Sequence, residues 1–172
     1  MSRNSTLSLL RMLVFPALAA ILLSTGYSRN LTEPADQELI TIFGDHRDAF
    51  RKLQQMAKED LRNGWYFRWP NFNDSAPPDQ SRWQRYISIV SAIPQCFSVY
   101  TDYDGHMRFC FAQGSYQMWP PYPRWVKGIE FWPHACPWVT LKNLDDAQKL
   151  SANVYAREIE PQWFLFYQIN DD

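Results

Sequence analysis

The spacing of apolar and polar positions changes several times along this chain, and each change marks a boundary between elements. The first apolar stretch, Met12 to Leu23, is uncharged and broken only by Pro16. From about Asp36 the pattern becomes helical. Leu39, Ile42, Phe43, His46, Phe50, Leu53, Ala57 and Leu61 recur at steps of three and four and so share one face, while Arg47, Arg51, Lys52, Lys58 and Glu59 fall mostly on the other. Asn63-Gly64 is a stop signal, and Gly44 weakens the first turns, so the regular part begins between Asp36 and Asp45. Trp65 to Phe72 has no clean period and reads as a loop packed by its aromatics. Asp79 or Ser81 caps a second helix, striped by Trp83, Tyr86, Ile87, Val90 and Ile93 and ended by Pro94.

Beyond Pro94 the period is two. Cys96 to Tyr103 and His106 to Gln113 flank Asp104-Gly105, a two-residue hairpin signal. Tyr116 to Pro123 is a Trp/Tyr/Pro loop. Trp125 to Trp132 reads as a third strand, stopped by Pro133. His134 to Leu150 is irregular, with one helical turn from Asp145, and Val154 to Ile159 with Trp163 to Ile169 form a last hairpin. The pattern predicts an α+β fold, with two N-terminal helices packed on a mostly antiparallel sheet of about five strands. It forms one domain over 36–172, with no internal repeat.

The amino end has the form of a secretory signal: Arg3 and Arg11, then the apolar run, then small residues at Ser24 and Gly26 that suit cleavage before Tyr27. The run is short for ~30 Å of hydrocarbon. An uncleaved anchor is the other reading, and the only route by which this chain would meet a membrane. Leu22 to Ser28 looks like a bacterial lipoprotein site, but Tyr27 stands where the lipidated Cys must be. The expectation is an exported protein, periplasmic or secreted, with 1–26 as signal and 27–35 as tether.

Composition narrows the chemistry. Lys+Arg is 17 and Asp+Glu is 18. Cleavage removes Arg3 and Arg11, leaving 15 basic residues against 18 acidic, a net of -3. Nothing there attracts nucleic acid. Six Gly leave little room for a phosphate-cradling loop. Aromatics reach 16%, enough to give a small domain much of its burial.

Export makes Cys96, Cys110 and Cys136 worth pairing. A two-residue turn places Cys96 opposite Gln113 and Cys110 opposite Val99, on different faces; a one-residue change of register makes the two diagonal. A bridge would join Cys136 to Cys96 or to Cys110, and three free thiols is the competing reading. His46, His106 and His134 have no zinc-motif spacing, although His134 stands two residues from Cys136. There is no G-x-S-x-G; a Cys110/His106 pair can be drawn on one strand face. Of the paired carboxylates, Asp102/Asp104, Asp145/Asp146 and Asp171/Asp172, none is placed by sequence against a cleft. No catalytic residue, cofactor or metal ligand is assigned.

Four features, in order, resemble a family of small exported bacterial proteins of unknown function. They are Met56 with Asp60, then Arg82-Trp83-Gln84-Arg85-Tyr86, then Lys127-Gly128-Ile129-Glu130-Phe131, then Trp163-Phe164-Leu165-Phe166-Tyr167. The likeness spans roughly 45–169 and departs at Ile129 and Phe164, where the family pattern has Tyr. It implies one exported domain and brings no activity or site residues.

Two functions fit. The first is a non-enzymatic accessory domain of the cell envelope that binds another envelope protein or a peptide through Trp119, Tyr122, Arg124 and Trp125. The second is a small enzyme with a pocket between helices and sheet, where His106, Arg108 and Glu130 would converge.

Overall fold

The helical stripe of the first segment is carried by two helices. In the computed structural model, which describes residues 33–64, 67–70, 79–114, 123–145, 147 and 153–170, α1 is Asp36–Asp45 and α2 is Arg47–Leu61. The break falls at His46, with φ -115 and ψ 19, and leaves its polar ring half-buried at the edge of the apolar face. Leu39, Ile42 and Phe43 of α1 are buried, as are Phe50, Leu53, Met56 and Ala57 of α2. The third helix, α3, is Gln80–Ser91. Its cap is Asp79, whose carboxylate accepts from Ser81 N at 2.8 Å and from Ser81 Oγ at 2.5 Å. No helix of the described residues is long and apolar enough to cross a membrane.

Seven strands, not five, make one sheet in the order β1-β2-β3-β4-β7-β6-β5. They are β1 Arg68–Trp69, β2 Ser98–Thr101, β3 Met107–Gln113, β4 Trp125–Phe131, β5 Val139–Thr140, β6 Val154–Glu160 and β7 Trp163–Ile169. Every neighbouring pair is antiparallel except β5 with β6. The two additional strands are the two-residue edges, β1 in the stretch read as a loop and β5 in the stretch read as irregular. Two residues show no period, so only the partner strand reveals them.

The β2–β3 connection is wider than its Asp104-Gly105 signal suggests. Asp102 Oδ1 accepts from Asp104 N at 3.1 Å and from His106 N at 3.0 Å, and so builds a side-chain turn inside the loop. The pairing moves by one residue. Ser98 lies opposite Cys110 and Val99 opposite Phe109, which puts Cys96 diagonal to Cys110 on the same face.

Alternation along the strands gives the sheet two different buried faces. Phe109 and Trp163 meet the helices. Phe50 lies 4.8 Å from Phe109 and 5.8 Å from Trp163, and Phe43 is 5.1 Å from Trp163. Lys127 points the same way as Ile129 and is buried there, with its ammonium 2.7 Å from Asp145 and 3.1 Å from Asp36. α3 joins this layer through Tyr86, which stacks on Phe67 at 4.2 Å and donates to Asp60 Oδ2 at 2.7 Å. Arg82 donates to the same oxygen and to Met56 O, so Met56, Asp60, Arg82 and Tyr86 are one joint between α2 and α3.

Candidate functional site

On β3, Met107 and Phe109 face the helices, so Arg108 between them faces away. On β4, Glu130 does the same, directly opposite Arg108. His106, just before β3, completes the group. Arg108 Nε donates to Glu130 Oε2 at 2.9 Å, and His106 Nε2 lies 3.1 Å from that oxygen. The other ring nitrogen, Nδ1, is 3.0 Å from Asp102 Oδ2. Arg108 Nη1 reaches the Tyr100 hydroxyl at 3.0 Å and donates to Gln168 Oε1. Glu130, His106 and Arg108 are 0%, 4% and 7% exposed, which makes this a charged cluster inside the protein.

Aromatic rings enclose it. Trp132 stacks on His106 with centroids 3.9 Å apart. The Arg108 guanidinium lies 4.7 Å from the Phe166 ring and 5.7 Å from that of Trp138. Among the described residues, Glu130 Oε1 and the indole nitrogens of Trp132 and Trp138 are buried without a hydrogen-bond partner.

The donor and acceptor inventory sets what the cluster can do. Carboxylates only accept, and a neutral imidazole donates from one nitrogen alone. The ring stands between two carboxylates, those of Asp102 and Glu130, whether it is neutral or protonated. In either form both ring nitrogens are occupied by the protein, so neither is open to a substrate proton. Burial pushes the Tyr100 hydroxyl up to about 12, against the pull of Arg108.

The thiols are equally unprepared for catalysis. Cys96, Cys110 and Cys136 are free in the structure. Burial pushes Cys110 up to about 12, and burial also raises Cys96 and Cys136. A nucleophilic thiol needs the opposite shift. His106 and Cys110 share a face, yet Arg108 stands between them in sequence and the His106 nitrogens are held by Asp102 and Glu130. The described residues contain no group of three or more His, Cys, Asp or Glu that could hold a metal ion.

His106, Arg108 and Glu130 thus meet, on the face turned away from the helices rather than between helices and sheet. Of the aromatic surface, Trp119 and Tyr122 lie outside the described residues. Arg124 is exposed. Trp125 is half-buried and stacks on Tyr167 at 5.8 Å, above Gly114, where any Cβ would strike its indole. Trp125 therefore belongs to the sheet's packing. Lys127, beside the same loop in sequence, is turned into the core. Sequence reasoning missed the Lys127 and Asp102 roles, because their partners are joined by topology and a turn, not by a motif.

Comparison with known proteins finds no family, no curated sequence and no solved structure that matches this chain.

Proposed function

We propose that this chain is an exported, non-catalytic domain of a bacterial cell envelope. It engages a protein or peptide partner through the β3–β4 loop, with Trp119, Tyr122 and Arg124 as contact residues. The observation that carries this reading is the enclosure of the His106 cluster: both ring nitrogens and the Arg108 Nε are engaged by Asp102 and Glu130, the unpartnered Glu130 Oε1 is shut in at 0% exposure, and burial raises the thiols. Catalysis needs a group left over within reach of a substrate.

The loop is favoured as the contact element because its base is fixed. Gly114 N donates to Trp125 O at 2.9 Å, Asn170 N donates to Arg124 O at 2.7 Å, and Asn170 Nδ2 donates to Pro123 O at 2.6 Å. A rigid base lowers the ordering cost of binding. Arg124 is exposed at that base, and Arg is a residue type enriched in interface hot spots.

A photo-crosslinking side chain at position 124 in the exporting cell tests this. One discrete crosslinked envelope protein is expected, absent when the same group replaces Arg85 on α3. Identical patterns from both sites, or none from 124, would overturn the loop reading. Mass measurement of the exported protein tests the signal, with a chain beginning at Tyr27 expected.

A further inference from the structure

A cleft of about 580 Å³ opens at one end of the sheet, where β2 turns into β3, β4 ends and β6 turns into β7. The carboxyl-terminal turns of α2 form its other wall. Arg124 and Trp125 sit at the opposite end of β4, so the cleft is separate from the β3–β4 loop.

We infer that this cleft binds a small amphipathic monoanion, a carboxylate carried on an aromatic or other apolar body. Its volume lies in the range of small-molecule sites, roughly 300–1,000 Å³. Leu61, Phe131 and Pro133 supply an apolar lining. Tyr103 stands in the wall 79% exposed, a large ring with one polar end.

The charges select the sign. Lys58 and Arg62, four residues apart on α2, both line the cleft and are exposed. Neither has an ion-pair or hydrogen-bond partner among the described residues. Arg47 and Arg51, earlier on the same helix, differ, since both pair with Glu160. Like charges at this spacing repel, and an anion between them removes the repulsion. Among the described residues, Asp104 is the one carboxylate of the wall. Two cations against one anion leave a single positive charge, which matches a carboxylate better than a phosphate dianion. His134 adds a ring with a hydrogen-bonding edge.

The walls are fixed in advance. Asp102 Oδ1 holds the β2–β3 turn, Gln162 Nε2 donates to Pro133 O at 2.9 Å, and Trp132 N donates to Gln162 O at 2.9 Å. At Gly105, φ is +81, and a Cβ there would already touch Leu61 Cδ1 at 3.5 Å. A site built this way loses little freedom when a ligand enters.

The test is amide NMR on the full-length protein with three probes of one shape: 2-naphthoate, neutral 2-naphthalenemethanol and 2-naphthyl phosphate. Saturable shifts are expected for naphthoate at Leu61, Gly105 and Gln162. The alcohol should bind at least about tenfold more weakly, and the phosphate no more tightly than naphthoate. Lys58→Gln with Arg62→Gln should weaken naphthoate by about tenfold and leave the alcohol unchanged. Tyr103→Ala, at an exposed ring, should weaken both naphthoate and alcohol, and Arg85→Gln neither. Both cations also suit the carboxyl end of α2, so the readout is binding and not stability. Shifts scattered outside the cleft, equal binding of acid and alcohol, or an unaffected double variant would overturn the inference. A phosphate about tenfold tighter than naphthoate would overturn the monoanion assignment. None of these results bears on the loop, whose test lies at the other end of the sheet.

Discussion

Arg108 and Glu130 stand directly opposite each other on β3 and β4, joined Nε to Oε2 over 2.9 Å and closed off from solvent. Such a pair adds little net stability, because removing both charges from water offsets their attraction. The loss of one partner is far more damaging than the pair is stabilising. Without Arg108, Glu130 would be buried with only His106 beside it.

Arg108→Met is therefore expected to lose about 3–5 kcal/mol in urea denaturation. The Arg108→Met/Glu130→Leu double variant should recover a large part of that loss, since no lone charge is left in the interior. A single variant within about 1 kcal/mol of the parent would show that the cluster is better solvated than its burial indicates.

Two glycines give opposite signs. A Cβ at Gly128 would collide with the Phe109 carbonyl and the Phe166 ring, and the carbonyl is backbone that cannot rotate away. Gly128→Ala should cost about 3 kcal/mol or more. Gly44 lies in α1 with nothing within 4 Å of its Cβ position. Gly44→Ala should gain roughly 0.5–1 kcal/mol. Denaturation midpoints of the two variants, measured side by side, check both; a tolerated Gly128→Ala would mean the sheet can open there.

Alkali should unfold the protein before it titrates the folded core. Burial, followed by hydrogen bonding to Asp60, raises the Tyr86 hydroxyl well above its ordinary value of 10.0. Burial also holds Tyr100 and Cys110 at about 12, from ordinary values of 10.0 and 9.0. These groups are raised in the folded state, so the unfolded chain releases their protons first. Their contribution is whole below about pH 8 and declines as pH passes 9 to 12. Denaturation midpoints under reducing conditions from pH 7 to 11 should be flat, then fall. A level profile throughout would refute the burial of these groups.

The regular elements were legible because one face of each is apolar. The Phe43–Phe50–Leu53 stripe and the alternation at Met107-Arg108-Phe109 both survive in the structure. The sheet's second buried face could not be read. Alternation marks a polar strand residue as solvent-facing, yet Arg108 and Glu130 on that face are buried against each other, and Lys127 is buried on the helix face among Asp36 and Asp145. Their pairing depends on register, and register depends on turns. Asp102 shows why a turn can mislead: its side chain replaces a backbone acceptor, which a Gly-based signal does not encode. The cleft was hidden for a similar reason. Lys58 reads as the solvated face of a helix, Arg62 carries no signal of its own, and Tyr103, Phe131 and Gln162 come from three other segments.

Asp36 opens α1, where a first residue would ordinarily fray. Its carboxylate nevertheless lies 3.1 Å from buried Lys127 and accepts from Arg157, 121 residues along the chain, and from Leu144 N. The tether that precedes it ends against a fixed electrostatic anchor. A protease trimming the amino end would first take Glu33, whose carboxylate also reaches Lys127 at 3.4 Å, and the buried Pro34, before it meets Asp36. One step further, Lys127 is left, among the described residues, to Asp145 alone.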